Sequence, residues 1–146
     1  MLAKLLSKER IQKVKTAASW SDAIRIAAQP LVLDGSITES YIDEMVSAVE
    51  KFGPYIVLTD NFALPHAQGT DSVKRMAISL LVTEDVIDMK GRPVTMFMVL
   101  APIDKESHMQ ALQSLSSILG EKENLAIIAT GDSDKILELI SRSEQT

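Results

Sequence analysis

Two histidines, His66 and His108, are the only imidazoles in a chain that has no cysteine. Imidazole has an unperturbed pKa of about 6.5, so at cellular pH one ring nitrogen keeps a lone pair that can attack or accept a transferred group. His66 stands in Leu64-Pro65-His66-Ala67. Pro65 fixes its own φ and pushes Leu64 toward an extended backbone, so His66 follows a stiffened segment at the end of a short strand over Phe62 to Leu64. Stiffness suits group transfer, where positioning supplies much of the rate. The tetrapeptide also fits a surface-loop histidine behind a turn proline, and both readings stand at this point.

The second histidine lies in Ser107-His108-Met109-Gln110. A serine followed three residues later by glutamine, ahead of an apolar run, has the form of a capping box, with Ser107 as N-cap and His108 as the first helical residue. The stripe His108, Leu112, Leu115, Leu119 then turns the ring toward a sheet. A helix start offers unpaired N–H donors and the positive end of the dipole, which together favour an anion such as phosphate. The alternative is a partly buried core histidine bonded to a carbonyl. Ligands of open α/β sheets gather outside the carboxyl ends of strands, and each histidine follows a strand, so the expectation is one shared crevice.

Asp60, Asn61, Gln68 and Asp71 flank His66 and are candidates to orient its second nitrogen, while Phe62 and Ala67 are candidates for an apolar docking rim. A zinc site built on both histidines would need a third or fourth ligand, and neither a helical His-x-x-x-His nor a cysteine pair exists. No Gly-x-Ser-x-Gly, P-loop or dinucleotide fingerprint is present, so no metal and no cofactor are expected. A net charge of −5 argues against nucleic acid as a partner. No apolar run approaches the ~20 residues that span a bilayer, and the N-terminal segment turns charged too soon for a signal peptide, so a cytoplasmic location without membrane insertion is expected.

The elements that must position these residues follow from periodicity. At 146 residues, 46% of them hydrophobic and 24% charged, the chain is expected to form a single globular domain over residues 1–146. Leu2, Leu5 and Leu6 mark a short N-terminal helix, and Ile11 to Lys15 alternates like an edge strand. Ser19 or Ser21 caps a helix that Pro30 should kink or restart, before a turn at Asp34-Gly35-Ser36. Thr38 caps a second helix with the stripe Ile42, Met45, Val46 and Val49. Met76 to Val82 and Val94 to Leu100 are nearly continuous apolar runs that fit strands buried on both faces, with Glu84-Asp85 and Lys90-Gly91-Arg92-Pro93 breaking the link between them. Glu84, Asp85 and Asp88 read as a solvated acidic turn. The methionines Met76, Met89, Met96, Met98 and Met109 read as core filler, and Trp20 as an anchor of the first main helix. Helical patterns return after Pro102, over Glu123 to Ala129, and over Asp132 to Ile140. Helices, strands and helices in that order make a layered α/β domain.

Gly53-Pro54-Tyr55 with Val57-Leu58, then Ala63-Leu64-Pro65-His66, resembles the enzyme IIA components of the mannitol/fructose class in the bacterial sugar phosphotransferase system. Met98-Val99-Leu100-Ala101-Pro102 followed by Ser107-His108 resembles the second histidine region of that class, and Gly53-Pro54-Tyr55 and Ser19-Trp20 look most like ascorbate-type components. The resemblance implies a mostly buried mixed β-sheet flanked by helices. It implies that His66 takes a phosphoryl group from HPr and passes it to a cysteine of a cognate enzyme IIB, which serves a membrane permease, enzyme IIC. His108 would donate a hydrogen bond to the phosphoryl oxygens, and the imported substrate would be L-ascorbate. Another sugar or polyol, or a regulatory module whose His66 phosphorylation controls binding to a regulator, are the alternatives, and a homodimer is left open. One departure stands out: mannitol- and fructose-type relatives usually carry an arginine where this chain has Glu50, beside Lys51, so either Lys51 substitutes or the site relies on His108 and backbone donors.

Overall fold

The computed structural model describes residues 1–68 and 71–145. A helical turn, α1 (Leu2–Leu5), and a 3-10 turn at Lys8–Arg10 precede β1 (Ile11–Val14), α2 (Trp20–Leu33) and α3 (Glu39–Phe52). Two short strands, β2 (Val57–Thr59) and β3 (Asn61–Ala63), lead to the long pair β4 (Ala77–Met89) and β5 (Arg92–Ala101). Three helices close the chain: α4 (Lys105–Leu119), α5 (Lys122–Ala129) and α6 (Ser133–Ser143).

The strands form one five-stranded sheet in the order β1-β4-β5-β3-β2. β1 runs parallel to β4, β4 antiparallel to β5, β5 parallel to β3, and β3 antiparallel to β2, so the sheet is mixed as expected. Strand side chains alternate between faces, so apolar runs feed two cores at once. Leu81, Phe97 and Val99 face α2 and α3, while Ile78, Leu80, Met96 and Met98 face the terminal helices. Phe62 also lies fully buried in the second core, which removes it from the docking rim; burying such a ring stabilises by roughly 1.5–3 kcal/mol. Trp20 packs against the first core at the start of α2.

Two local expectations change. The acidic residues Glu84 and Asp85 are exposed, but they lie within β4 rather than in a turn between strands. The register with β5 slips between Val82 and Ile87, so a bulge turns this acidic stretch outward and buried Ile87 and Met89 then resume the ladder. The chain reverses only afterwards, where Lys90 and Gly91 both take positive φ.

Pro30 does not restart α2, which runs unbroken through it from its N-cap Ser19. A proline at this position cannot donate to the carbonyl of Ile26. Gln12 on β1 supplies the missing donor, its Nε2 lying 2.7 Å from the Ile26 oxygen. At the next residue of the helix, the buried Ser79 hydroxyl of β4 donates to Ala27 O at 2.6 Å. The sheet thus completes the hydrogen bonding of the helix it carries. Gln12→Ala should destabilise the fold by about 1 kcal/mol in urea melts. The same change in a Pro30→Ala background should cost less, because an alanine amide at that position can donate to Ile26 O itself; equal losses in both backgrounds would refute the compensation.

Candidate functional site

The parallel pairing of β3 with β5, Phe62 opposite Met96 and Ala63 opposite Phe97, sends the carboxyl ends of both strands to one edge of the sheet. Pairing continues beyond the strands. Leu64 N donates to Ile56 O at 2.8 Å, and Leu100 N donates to Pro65 O at 3.0 Å. His66 therefore projects from a segment that is hydrogen-bonded up to its doorstep. Its Nδ1 lies 2.7 Å from Leu64 O. A carbonyl oxygen only accepts, so Nδ1 carries the proton, which in the neutral ring leaves the lone pair on Nε2. On the other side, Ala67 N donates to the buried hydroxyl of Tyr41 at 3.0 Å.

β5 ends at Ala101, and a short loop leads into α4. The cap of that helix differs from the sequence expectation. Asp104, not Ser107, is the N-cap: its Oδ1 accepts from Ser107 N at 2.7 Å, and the Ser107 hydroxyl accepts from Asp104 N at 3.3 Å. An aspartate caps as well as a serine, and its charge also complements the helix dipole. The backbone and side-chain hydrogen bonds from Ser107 hold the Asp104 carboxyl below its usual range. His108 consequently sits inside the first turn, with its amide bonded to Asp104 O at 3.1 Å. The His108 amide is therefore not one of the free donors of the helix start; what this residue brings to the cleft is its ring.

That ring meets the first histidine. The His66 and His108 centroids are 5.1 Å apart, with the planes tilted by 40°. Both line one cleft of about 750 Å³. Nδ1 of His108 is buried without a hydrogen-bond partner among the described residues. Burial first, and the neighbouring His66 second, push the pKa of His108 below its ordinary value, so the ring is neutral at physiological pH. The arrangement joins one imidazole, His66, oriented by a carbonyl, to a second, His108, that is neutral and carries one N–H.

The walls of the cleft bring in further residues. Tyr55 meets His66 edge-on at 5.8 Å and Phe52 edge-on at 6.2 Å, and both rings are exposed. Gly53 makes this possible by ending α3 at φ 84 and ψ −166, a backbone conformation open only to glycine. Exposed Ile103 and Lys105 stand opposite, on the α4 side. Ala67 and Gln68 line the cleft as well, whereas Asp60, Asn61 and Asp71 do not. Lys51 is not on the wall either: its Nζ lies over the Phe52 ring, 5.2 Å from the centroid, and Glu50 beside it is exposed. Met109, next to His108, is exposed rather than core filler. Residues such as Ile103 and Lys105 carry no periodic signal, because a loop and the first position of a helix place them.

Residues 4–143 match the family model for the phosphoenolpyruvate-dependent sugar phosphotransferase system, EIIA 2. The chain belongs to this family. Among its relatives, the mannitol-specific cryptic phosphotransferase enzyme IIA component of Escherichia coli (strain K12) is 31% identical over 135 residues, covering 90% of this chain and 92% of the relative. The ascorbate-specific PTS system EIIA component of the same strain is 24% identical over 144 residues, covering 95% and 94%. The solution structure of the mannitol-specific cryptic enzyme IIA from Escherichia coli has a TM-score of 0.86 at 28% identity, over 97% of this chain and 98% of that one. An Escherichia coli complex of mannitol enzyme IIA with phosphorylated enzyme IIB shares the fold, with a TM-score of 0.80 at 23% identity over 94% and 99%. The α/β architecture is thus that of mannitol-type enzyme IIA. No helix among the described residues of this EIIA chain is long and apolar enough to cross a membrane.

The neutral state of His108 can be read directly. In an NMR titration its ring should protonate at a lower pH than the ordinary 6.5, and His66→Ala should raise that midpoint only in part, because burial remains. The folded ring binds its proton more weakly than the unfolded chain does. Stability should therefore fall as pH drops below the unfolded value toward the folded one, and His108→Ala should flatten that stretch of the profile. A His108 midpoint at or above 6.5 contradicts this.

Proposed function

We propose that this protein, acting as a single unit over residues 1–146 in the cytoplasm, is a phosphocarrier of a sugar phosphotransferase system. It takes a phosphoryl group from phosphorylated HPr onto Nε2 of His66 and passes it to the cysteine of a cognate enzyme IIB, which feeds the permease enzyme IIC. The observation that carries this reading is the hydrogen bond from Nδ1 of His66 to Leu64 O with the His108 ring 5.1 Å away.

The chemistry is balanced without an external base. The Nε2 lone pair of His66 forms the new N–P bond as the bond from phosphorus to the donor imidazole breaks, and its electron pair returns to the donor. The positive character that develops on the His66 ring is carried by Nδ1–H against the Leu64 carbonyl. In the second step the enzyme IIB thiolate attacks, the N–P bond breaks, and His66 regains its lone pair. Both steps exchange a bond from phosphorus to nitrogen or sulfur for another of the same kind, so the protein supplies positioning and charge stabilisation rather than new chemistry. His108, held neutral, donates its one N–H to a phosphoryl oxygen. Lys105 supplies positive charge on the cleft wall in place of the arginine usual in relatives; it has no ion pair among the described residues. Phe52, Tyr55 and Ile103 form the apolar rim on which partners dock. The imported substrate is L-ascorbate, a reading supported by Gly53-Pro54-Tyr55, by Ser19-Trp20 and by the ascorbate-specific relative.

Incubation with phosphoenolpyruvate, enzyme I and HPr should place an acid-labile phosphate on Nε2 of His66, and His66→Ala should take none. Labelling of His66→Ala at the wild-type level would sink the assignment. His108→Ala should still accept phosphate but pass it to enzyme IIB roughly 10²-fold more slowly, as expected for loss of one donor to a developing charge. Lys105→Ala should slow uptake by a smaller factor, and Lys51→Ala should leave it unchanged. In cells lacking their own ascorbate enzyme IIA, the protein should restore growth on ascorbate; restoration of mannitol growth instead would reassign the substrate.

A further inference from the structure

The buried hydroxyl of Tyr41 bonds to the residue that follows His66 and to the strand end that leads to His108. It donates to Leu100 O at 2.7 Å and accepts from Ala67 N at 3.0 Å, and Ala67 O lies 3.2 Å away as a second acceptor. Tyr41 belongs to α3 and is fully buried, and burial pushes its pKa well above the ordinary tyrosine value, so the hydroxyl stays protonated and keeps its donor role. The bonding pattern around it is particular. Before His66, Pro65 O accepts from Leu100 N at 3.0 Å. After His66, Ala67 N reaches Leu100 O through the Tyr41 oxygen. Both backbone groups of Leu100 thus bracket His66, one directly and one through a hydroxyl that spans the gap where the loop departs from the sheet. Leu100 also precedes, by Ala101 and a short loop, the helix that carries His108.

We infer that Tyr41 is a positioning residue for phosphoryl transfer: its hydroxyl fixes the peptide that follows His66 to the end of β5 and so sets the nucleophile against His108. This rests on the phosphocarrier reading of His66. A tyrosine buried merely to fill the core needs one partner for its hydroxyl, and Leu100 O alone would serve. The second bond, to Ala67 N, is spent on the residue adjacent to the nucleophile, where a displacement of about 1 Å can cost about 10²-fold in rate.

Tyr41→Phe keeps the ring and removes only the link. With phosphorylated HPr as donor at 25 °C, the variant should be loaded with a kcat lowered about tenfold or more, while KM for the donor stays near wild type because the exposed rim is untouched. Imidazole ¹⁵N spectra should show the His66 Nδ1–H form less dominant than in wild type. A role in stability alone would lower Tm but leave kcat and the His66 spectrum of the folded protein unchanged, and that result overturns the inference. If Tyr41→Phe does not fold, hydrogen exchange of the wild type decides: a protected Ala67 amide supports the clamp, and an amide exchanging at loop rates overturns it. A wild type that takes no phosphate overturns the phosphocarrier reading and Tyr41's part in it; a labelled wild type beside an unaltered Tyr41→Phe overturns Tyr41 alone.

Discussion

Because β3 and β5 lie side by side and point the same way, the segments that leave their carboxyl ends emerge together. One carries His66 immediately, and the other carries His108 after a short loop and the first turn of α4. Antiparallel pairing at this one junction would have sent the two imidazoles to opposite edges of the sheet. The short strand β3 holds this position through more than its own ladder. Phe62 buries its ring in the second core, and bonds from Leu64 N and to Pro65 O carry the pairing past the end of the strand. The site's geometry is therefore a property of the sheet, and the helices that flank it are held by the same cores.

The site achieves its electrostatic character by restraint rather than by charge. A fully charged pair of imidazoles would repel, and desolvation makes the charged form of His108 costlier still. Held neutral, His108 keeps one N–H as a donor and adds no charge beside His66. Asp104 places a carboxylate near the cleft, yet that carboxylate is tied into the N-cap of α4, where it meets amides rather than the histidines. Among the described residues, the cation on the cleft wall is Lys105, a point charge on a flexible stem, unlike the bidentate fork of an arginine.

The apolar rim is a compact exposed patch beside the histidines. Phe52, Tyr55 and Ile103 are exposed, aromatic or branched, and gathered around the histidines rather than scattered. Phe52 ends α3 and Gly53 turns the chain so that the Tyr55 ring meets it edge-on, so the rim is formed by a helix end and a loop instead of a flat helical face. If the chain relays phosphoryl groups as proposed, a small contact on this rim would suit release of one partner before the next.

Much of this was legible in the chain itself. Period and punctuation locate the strands over Met76 to Val82 and Val94 to Leu100 and the helices behind Ser19 and Thr38, because burial on a strand or a helix imposes a spacing that residue types must satisfy. The two histidines and the rigid turn before the first were readable for the same reason: local backbone chemistry at Pro65 acts within a residue or two. Other features were decided only in three dimensions. The uninterrupted passage of α2 through Pro30 depends on Gln12, a residue from a different element. The choice of Asp104 over Ser107 as cap turns on where β5 ends, since both residues are good caps in isolation. Phe62 is core rather than rim because β3 sits inside the sheet, and Tyr41 reaches His66's neighbour from a distant helix. Sequence determines the preferences of each segment, which are set by atoms a few bonds apart; tertiary structure decides the partners, because hydrogen bonds and buried contacts between distant segments exist only once the sheet has brought them together.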